Sequence, residues 1–165
     1  MKKVALTAWL VVLCPMTALA ADNPLLGTWK LKSLVREVFA TGERYHPMGE
    51  HPEGYLSYSA DGRMYGILVS DNRIKPNDVA PTDEERVKLH RTLTSYAGTY
   101  TLDNEKVVHH VDISWNQAWT GTDQVRFYKL DGNTLTITSA AARSPQDGRE
   151  GRAILVWEKV KPSTQ

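Results

Sequence analysis

His109 and His110 stand side by side in the run Val107-Val108-His109-His110-Val111-Asp112-Ile113-Ser114-Trp115. Neighbours on a strand point to opposite faces. The alternation therefore sets His109 with Val107, Val111, Ile113 and Trp115 on an inward face, and His110 with Asp112 and Ser114 in water. An imidazole among apolar neighbours can move a proton or touch a ligand; it is equally well a core histidine paired with a hydroxyl or carbonyl. Arg126 and Tyr128, two apart, share a face with Gln124 and Leu130. Turned inward, they offer a cationic fork and a hydroxyl to a carboxylate or carbonyl. Turned outward, they leave the core to Val125 and Phe127, the better core residues. The sequence leaves both open. Tyr58, Trp115 and Trp119 are the aromatic candidates for a ligand contact, with Trp115 and Trp119 flanking a short loop suited to a cavity mouth.

Other chemistry is disfavoured. His46, Glu50, His51 and Glu53 cluster in a loop interrupted by Pro47 and Gly49, with no frame to fix the three or four ligands that zinc wants, so no metal site is expected. There is no nucleophile elbow, no glycine-rich phosphate loop and no cofactor motif. Lys plus Arg number 20 against 19 for Asp plus Glu, and that balance speaks against a nucleic-acid partner. An apolar fraction of 41%, with five Trp, seven Tyr and two Phe, speaks against disorder.

The first twenty residues read as an export signal. Lys2 and Lys3 precede the apolar run Val4 to Leu13, and Ala18-Leu19-Ala20 supplies the small residues of a cleavage site. Cleavage after Ala20 makes residues 21–165 the functional domain, changes the formal charge from +1 to −1 and leaves no stable membrane anchor. Cys14, the one cysteine, lies in this segment and follows Leu13, which is not the small residue a lipoprotein signal needs. The remaining chain is thiol-free, which excludes disulfides and cysteine chemistry. A periplasmic or secreted location is expected.

The elements that must position these side chains read as strands. They fall at Gly27–Phe39, Gly54–Ser59, Arg63–Ser70, Gly98–Leu102, Val107–Trp115, Gln124–Leu130, Thr134–Ala140 and Arg152–Val160. Turn chemistry separates them at Asp61-Gly62, Asp103-Asn104, Asp131-Gly132-Asn133 and Asp147-Gly148. Short turns force antiparallel neighbours, and eight in succession predict an all-β, eight-stranded antiparallel up-and-down barrel. One short helix interrupts it between strands three and four. It starts at Pro81-Thr82-Asp83-Glu84-Glu85 with a capping box and runs to about Tyr96, carrying a thin apolar stripe of Val87, His90 and Leu93. Trp29 and Trp157, in the first and last strands, are placed to close the base.

Leu25-Leu26-Gly27-Thr28-Trp29-Lys30-Leu31 resembles the Gly-x-Trp opening of lipocalins. Gly54-Tyr55-Leu56-Ser57-Tyr58-Ser59, Asp61-Gly62-Arg63-Met64, Tyr96-Ala97-Gly98-Thr99-Tyr100, His109-His110-Val111-Asp112, Trp119 to Arg126 and Leu155-Val156-Trp157-Glu158 follow in order. As a set they resemble the bacterial and fungal lipocalin-like domain family. The resemblance implies a closed β-barrel with an internal cavity and no single function. Three expectations follow. One is a periplasmic barrel holding a small, mostly hydrophobic molecule, contacted by His109, Arg126, Tyr128, Trp115, Trp119 and Tyr58. The alternative is a barrel isomerase, cyclase or dehydratase with His109 as acid–base and Arg126 or Tyr128 stabilising an oxyanion. A filled barrel that binds a protein partner through its surface is the third, and a contiguous exposed apolar patch would mark it.

Overall fold

A computed structural model describes residues 23–103 and 105–161. The proposed export segment and Asn104 of the Asp103-Asn104 turn lie outside the described residues. The strands are β1 (Gly27–Val38), β2 (Arg44–Tyr45), β3 (Glu53–Tyr58), β4 (Arg63–Val69), β5 (Leu93–Leu102), β6 (Lys106–Ser114), β7 (Asp123–Asp131), β8 (Thr134–Ser139), β9 (Ala142–Arg143) and β10 (Glu150–Lys159), with helix α1 (Asp83–Arg91). Neighbours pair antiparallel, and β1 pairs with both β3 and β10. The eight long strands thus close into a barrel, which leaves no long unpaired edge. The two-residue strands β2 and β9 extend its rim.

Local chemistry accounts for the hairpins. Gly62 sits at φ +83° between β3 and β4 and Gly132 at φ +54° between β7 and β8, a region that glycine enters without steric cost. Helix α1 lies between β4 and β5, because β2 adds one strand to the count before it. Its capping box forms as the sequence implies: Thr82 Oγ1 accepts from the Glu85 amide, and the Thr82 amide donates to Glu85. The helix stops at Arg91, short of Tyr96. Leu93–Tyr96 instead extend β5, bonded to Val69–Gly66 of β4. A helical turn there would forfeit that ladder and bury no apolar side chain in return, since none in α1 is buried.

Two β-bulges decide what the barrel contains. In β1, Leu31 pairs with Trp157 but Ser33 with Val156, so Lys32 is an extra residue. Trp29 and Leu31 face inward before it, and Leu34, Arg36 and Val38 after it. Between β5 and β6, Gly98 pairs with Val111 and Ala97 with Ile113, leaving Asp112 over. Ile113 is therefore 67% exposed, not turned inward with His109. A bulge adds one residue to one strand and flips the alternation beyond it.

The base of the barrel is packed solid. Leu25, Trp29, Trp157, Leu135, Met64 and Tyr58 are all buried there. Trp29 Nε1 donates to the Leu25 carbonyl at 2.8 Å. Lys159 Nζ stands over the Trp29 ring and donates to the Leu26 carbonyl, fastening the last strand to the first. Each buried aliphatic side chain contributes about 1.5–3 kcal/mol. With the base sealed in this way, any internal space is left for the opposite end.

Candidate functional site

That opposite end carries the loop around Pro47 and Met48, the Gln117–Trp119 turn and the Ala142–Gln146 segment. They roof a cavity of about 120 Å³ between the strands. Most of its wall is apolar, from Leu34, Met48, Leu68, Ile137, Leu155 and Trp157. Tyr96, Thr94, Gln124, Ser139 and the arginines Arg36, Arg126 and Arg143 interrupt that wall. An apolar cavity of about 150 Å³ is known to take benzene, so this one is of the size for a single ring. A mostly apolar enclosure with a few converging polar groups is the usual form of a small-ligand site.

Arg126 lines this cavity, which settles the parity that its strand left open. Val125, Phe127 and Lys129 belong to the other face, and Phe127 is 49% exposed. The Arg126 guanidinium donates to Gln124 Oε1 at 3.3 Å and to the Val125 carbonyl. Tyr128 shares the inward face but sits lower, against the core, with its hydroxyl donating to the Asp103 carbonyl at the base turn. The pair Arg126 and Tyr128 therefore does not converge on one ligand group. Trp119 lines the cavity, whereas Trp115 does not. Trp115 follows the Asp112 bulge to the outer surface, beside Tyr65, Ile67 and Ile113, with its ring edge-on to Trp119 at 4.9 Å.

His109 and Tyr58, each 1% exposed, lie beneath the cavity and do not line it. Tyr58 Oη is 2.7 Å from His109 Nε2, and Tyr96 Oη is 2.9 Å from Nδ1. Burial, then the nearby Arg126 and His110, push the imidazole well below its ordinary pKa, so it is neutral. Burial, with the neighbouring Tyr96, pushes the Tyr58 phenol well above its own. A neutral imidazole has one donor and one acceptor nitrogen. The Tyr58 hydroxyl has no hydrogen-bond partner but Nε2 among the described residues, so it satisfies its proton only by donating there. Nδ1–H then donates to Tyr96 Oη. The hydroxyl proton of Tyr96, a residue of the cavity lining, then has no acceptor among the described residues. The chain Tyr58, His109, Tyr96 thus presents one donor to whatever occupies the space, and His109 acts through Tyr96.

Tyr96 and Arg36 are site residues that the local pattern does not mark. Tyr96 falls where the helical pattern ends, and its signal is the two-residue period of Thr94, Tyr96, Gly98 and Tyr100. Arg36 is inward only because of the Lys32 bulge, for which the sequence carries no clear mark. His110 faces out as expected, with Nδ1 2.7 Å from Asp123 and Nε2 3.1 Å from Thr101. In the loop cluster His46 pairs with Glu50 at 3.5 Å. Among the described residues no group of three His, Cys, Asp or Glu side chains converges, and no helix is long and apolar enough to cross a membrane. Tyr65, Ile67 and Ile113 form an exposed apolar strip outside β4–β6. That strip is the contiguous apolar feature of the outer surface, and it lacks the enclosure and converging polar groups of the cavity.

Comparison with known proteins accords with this geometry. The family model described as a lipocalin-like domain matches residues 26–160. The 4'-hydroxy-3'-methoxypropiophenone carrier protein ppsC of Aspergillus oryzae is 30% identical over 87 residues, which cover 48% of this chain and 78% of that protein. With most of its length matched and its strands closed around an internal cavity, the chain belongs to the lipocalin-like domain family.

Proposed function

We propose that this protein is an exported carrier that holds one small, single-ring molecule in the cavity at the open end of the barrel. The carrying observation is the cavity itself, about 120 Å³, mostly apolar and furnished with the unspent hydroxyl proton of Tyr96. A ring fills the apolar part, and a carbonyl-type acceptor meets Tyr96. The similarity to a protein named as a carrier of a ring-bearing ketone supports this reading. Export is supported by Lys2-Lys3, the run Val4–Leu13 and Ala18-Leu19-Ala20. Direct acid–base catalysis by His109 is disfavoured, because both ring nitrogens are engaged and the ring is sealed from the cavity.

The test is a titration with acetophenone, a neutral aryl ketone, read by tryptophan fluorescence. Trp119 and Trp157 line the cavity, so bound ligand changes the tryptophan emission, and Trp119→Phe lowers that response. A panel of single-ring ketones that leaves both fluorescence and native mass unchanged overturns the carrier reading. For export, the intact mass of protein from a Gram-negative periplasm should equal that of a chain starting at Ala21; retention of residues 1–20 refutes the proposed cleavage.

A further inference from the structure

Arg36 and Arg126 both line the cavity, and among the described residues no Asp or Glu does. Neither these two nor Arg143 of the rim makes an ion pair among the described residues, whereas Arg44, Arg149 and Arg152 are paired with acids. Arg36 is 5% exposed; among the described residues its Nη2 donates only to the Ala142 and Arg149 carbonyls, and its Nε has no partner. Arg126 bonds only to groups of its own strand. Buried charges are ordinarily paired, because an isolated cation loses its hydration without return. With Arg143 at the rim, three guanidinium groups line one enclosure that holds no carboxylate among the described residues, a charge excess that the lining does not cancel.

The register sets the two at one level of the barrel wall, about 14 Å apart at the backbone, three strand spacings. Arg36 on β1 pairs with Ala153 on β10. The Ala153 amide donates to Ser139 Oγ on β8, and Ser139 pairs with Arg126 on β7. The four residues form one row across four adjacent strands. Its two middle members are small, so the long side chains at its ends have room to reach over them into the cavity. Resting on the carrier reading above, we propose that the ligand is an aromatic carboxylate, its anionic head between Arg36 and Arg126. The guanidinium fork suits a planar carboxylate, the cavity takes one ring, and Tyr96 donates a further hydrogen bond.

The experiment compares benzoate with benzamide, which has the same shape and no charge, by isothermal titration and thermal shift on the mature protein. Benzoate should bind at least about tenfold more tightly, because a charge-assisted contact is roughly twice as strong as a neutral one. Arg126→Met, whose replaced side chain makes no bond to another strand, should bring the two affinities together. Benzamide binding as tightly as benzoate to the wild type overturns the carboxylate assignment and leaves the carrier reading standing. Failure of both ligands, together with acetophenone, overturns the carrier reading and the assignment with it. Inorganic phosphate is the control for charge alone: stabilisation by phosphate equal to that by benzoate also overturns the assignment. The wild-type comparison stands even where a variant fails to fold.

Discussion

Tyr58→Phe removes one oxygen from the barrel interior and leaves the volume almost unchanged, so its effect isolates a hydrogen bond. In the wild type that hydroxyl donates to His109 Nε2 at 2.7 Å, at a site where both residues are 1% exposed. Without it the imidazole lone pair is buried and unpaired. With both residues buried, the loss should be the full desolvation cost of about 1–3 kcal/mol. At a urea dependence of about 2 kcal/mol/M, a loss of about 2 kcal/mol moves the unfolding midpoint by about 1 M. His109→Leu should cost a similar amount, because it strands the Tyr58 hydroxyl instead. The double variant removes both partners together, so its loss should fall short of the summed single losses by about 1–3 kcal/mol. Urea unfolding followed by circular dichroism on the four proteins gives all the numbers. Additive losses, or a Tyr58→Phe loss under about 0.5 kcal/mol, would refute the reasoning that Tyr58 donates and His109 is the acceptor at Nε2.

Three further outcomes follow from the same structure. Since burial holds His109 well below its ordinary pKa, the unfolded chain binds one more proton once pH falls below about 6.5. Stability should then drop by up to about 1.4 kcal/mol per pH unit toward acid and be level above neutrality. His109→Leu should flatten urea midpoints between about pH 6.5 and pH 5, since carboxylates such as Glu37, held low by Arg152 and Arg44, lose their contribution only below about pH 4; an unchanged slope contradicts this. Gly98→Ala should destabilise by about 1–3 kcal/mol, because the added methyl collides with the His110 carbonyl at the bulge; a melting temperature within about one degree of wild type would show that the strands yield there. Deleting Lys32 should leave Leu34 and Arg36 inward and keep the near-ultraviolet dichroism, since Leu31, Ser33 and Leu34 then alternate without a bulge against Trp157, Val156 and Leu155; a lost spectrum would mean that the strand needs the bulge itself.

Much of the fold was legible because it rests on local rules. Alternation in Val107–Val111, glycine turns at Gly62 and Gly132, and the Thr82–Glu85 capping box depend on a few consecutive residues, and all three take the form that those residues imply. His109 faces inward by the same local period. The site was less legible because its polar members owe their places to long-range pairing. Tyr96 is strand and not helix because β4 supplies a partner for Leu93–Tyr96. Ile113 and Trp115 leave the inward face because Asp112 has no partner on β5.

By itself, then, the sequence determined an all-β chain of hairpins with an apolar interior, a buried histidine and a lipocalin-like order of motifs. Those properties are periodicities of two and turns of two or three residues, which neighbours along the chain dictate. Only the tertiary structure decided which polar groups share the cavity. One unpaired residue, Lys32, turns Arg36 inward, and the pairing of β7 with β8 seats Arg126 in the same row. A one-residue slip inverts every side chain beyond it, and the energy that fixes the slip lies in the closed ring of strands, not in the segment that carries it.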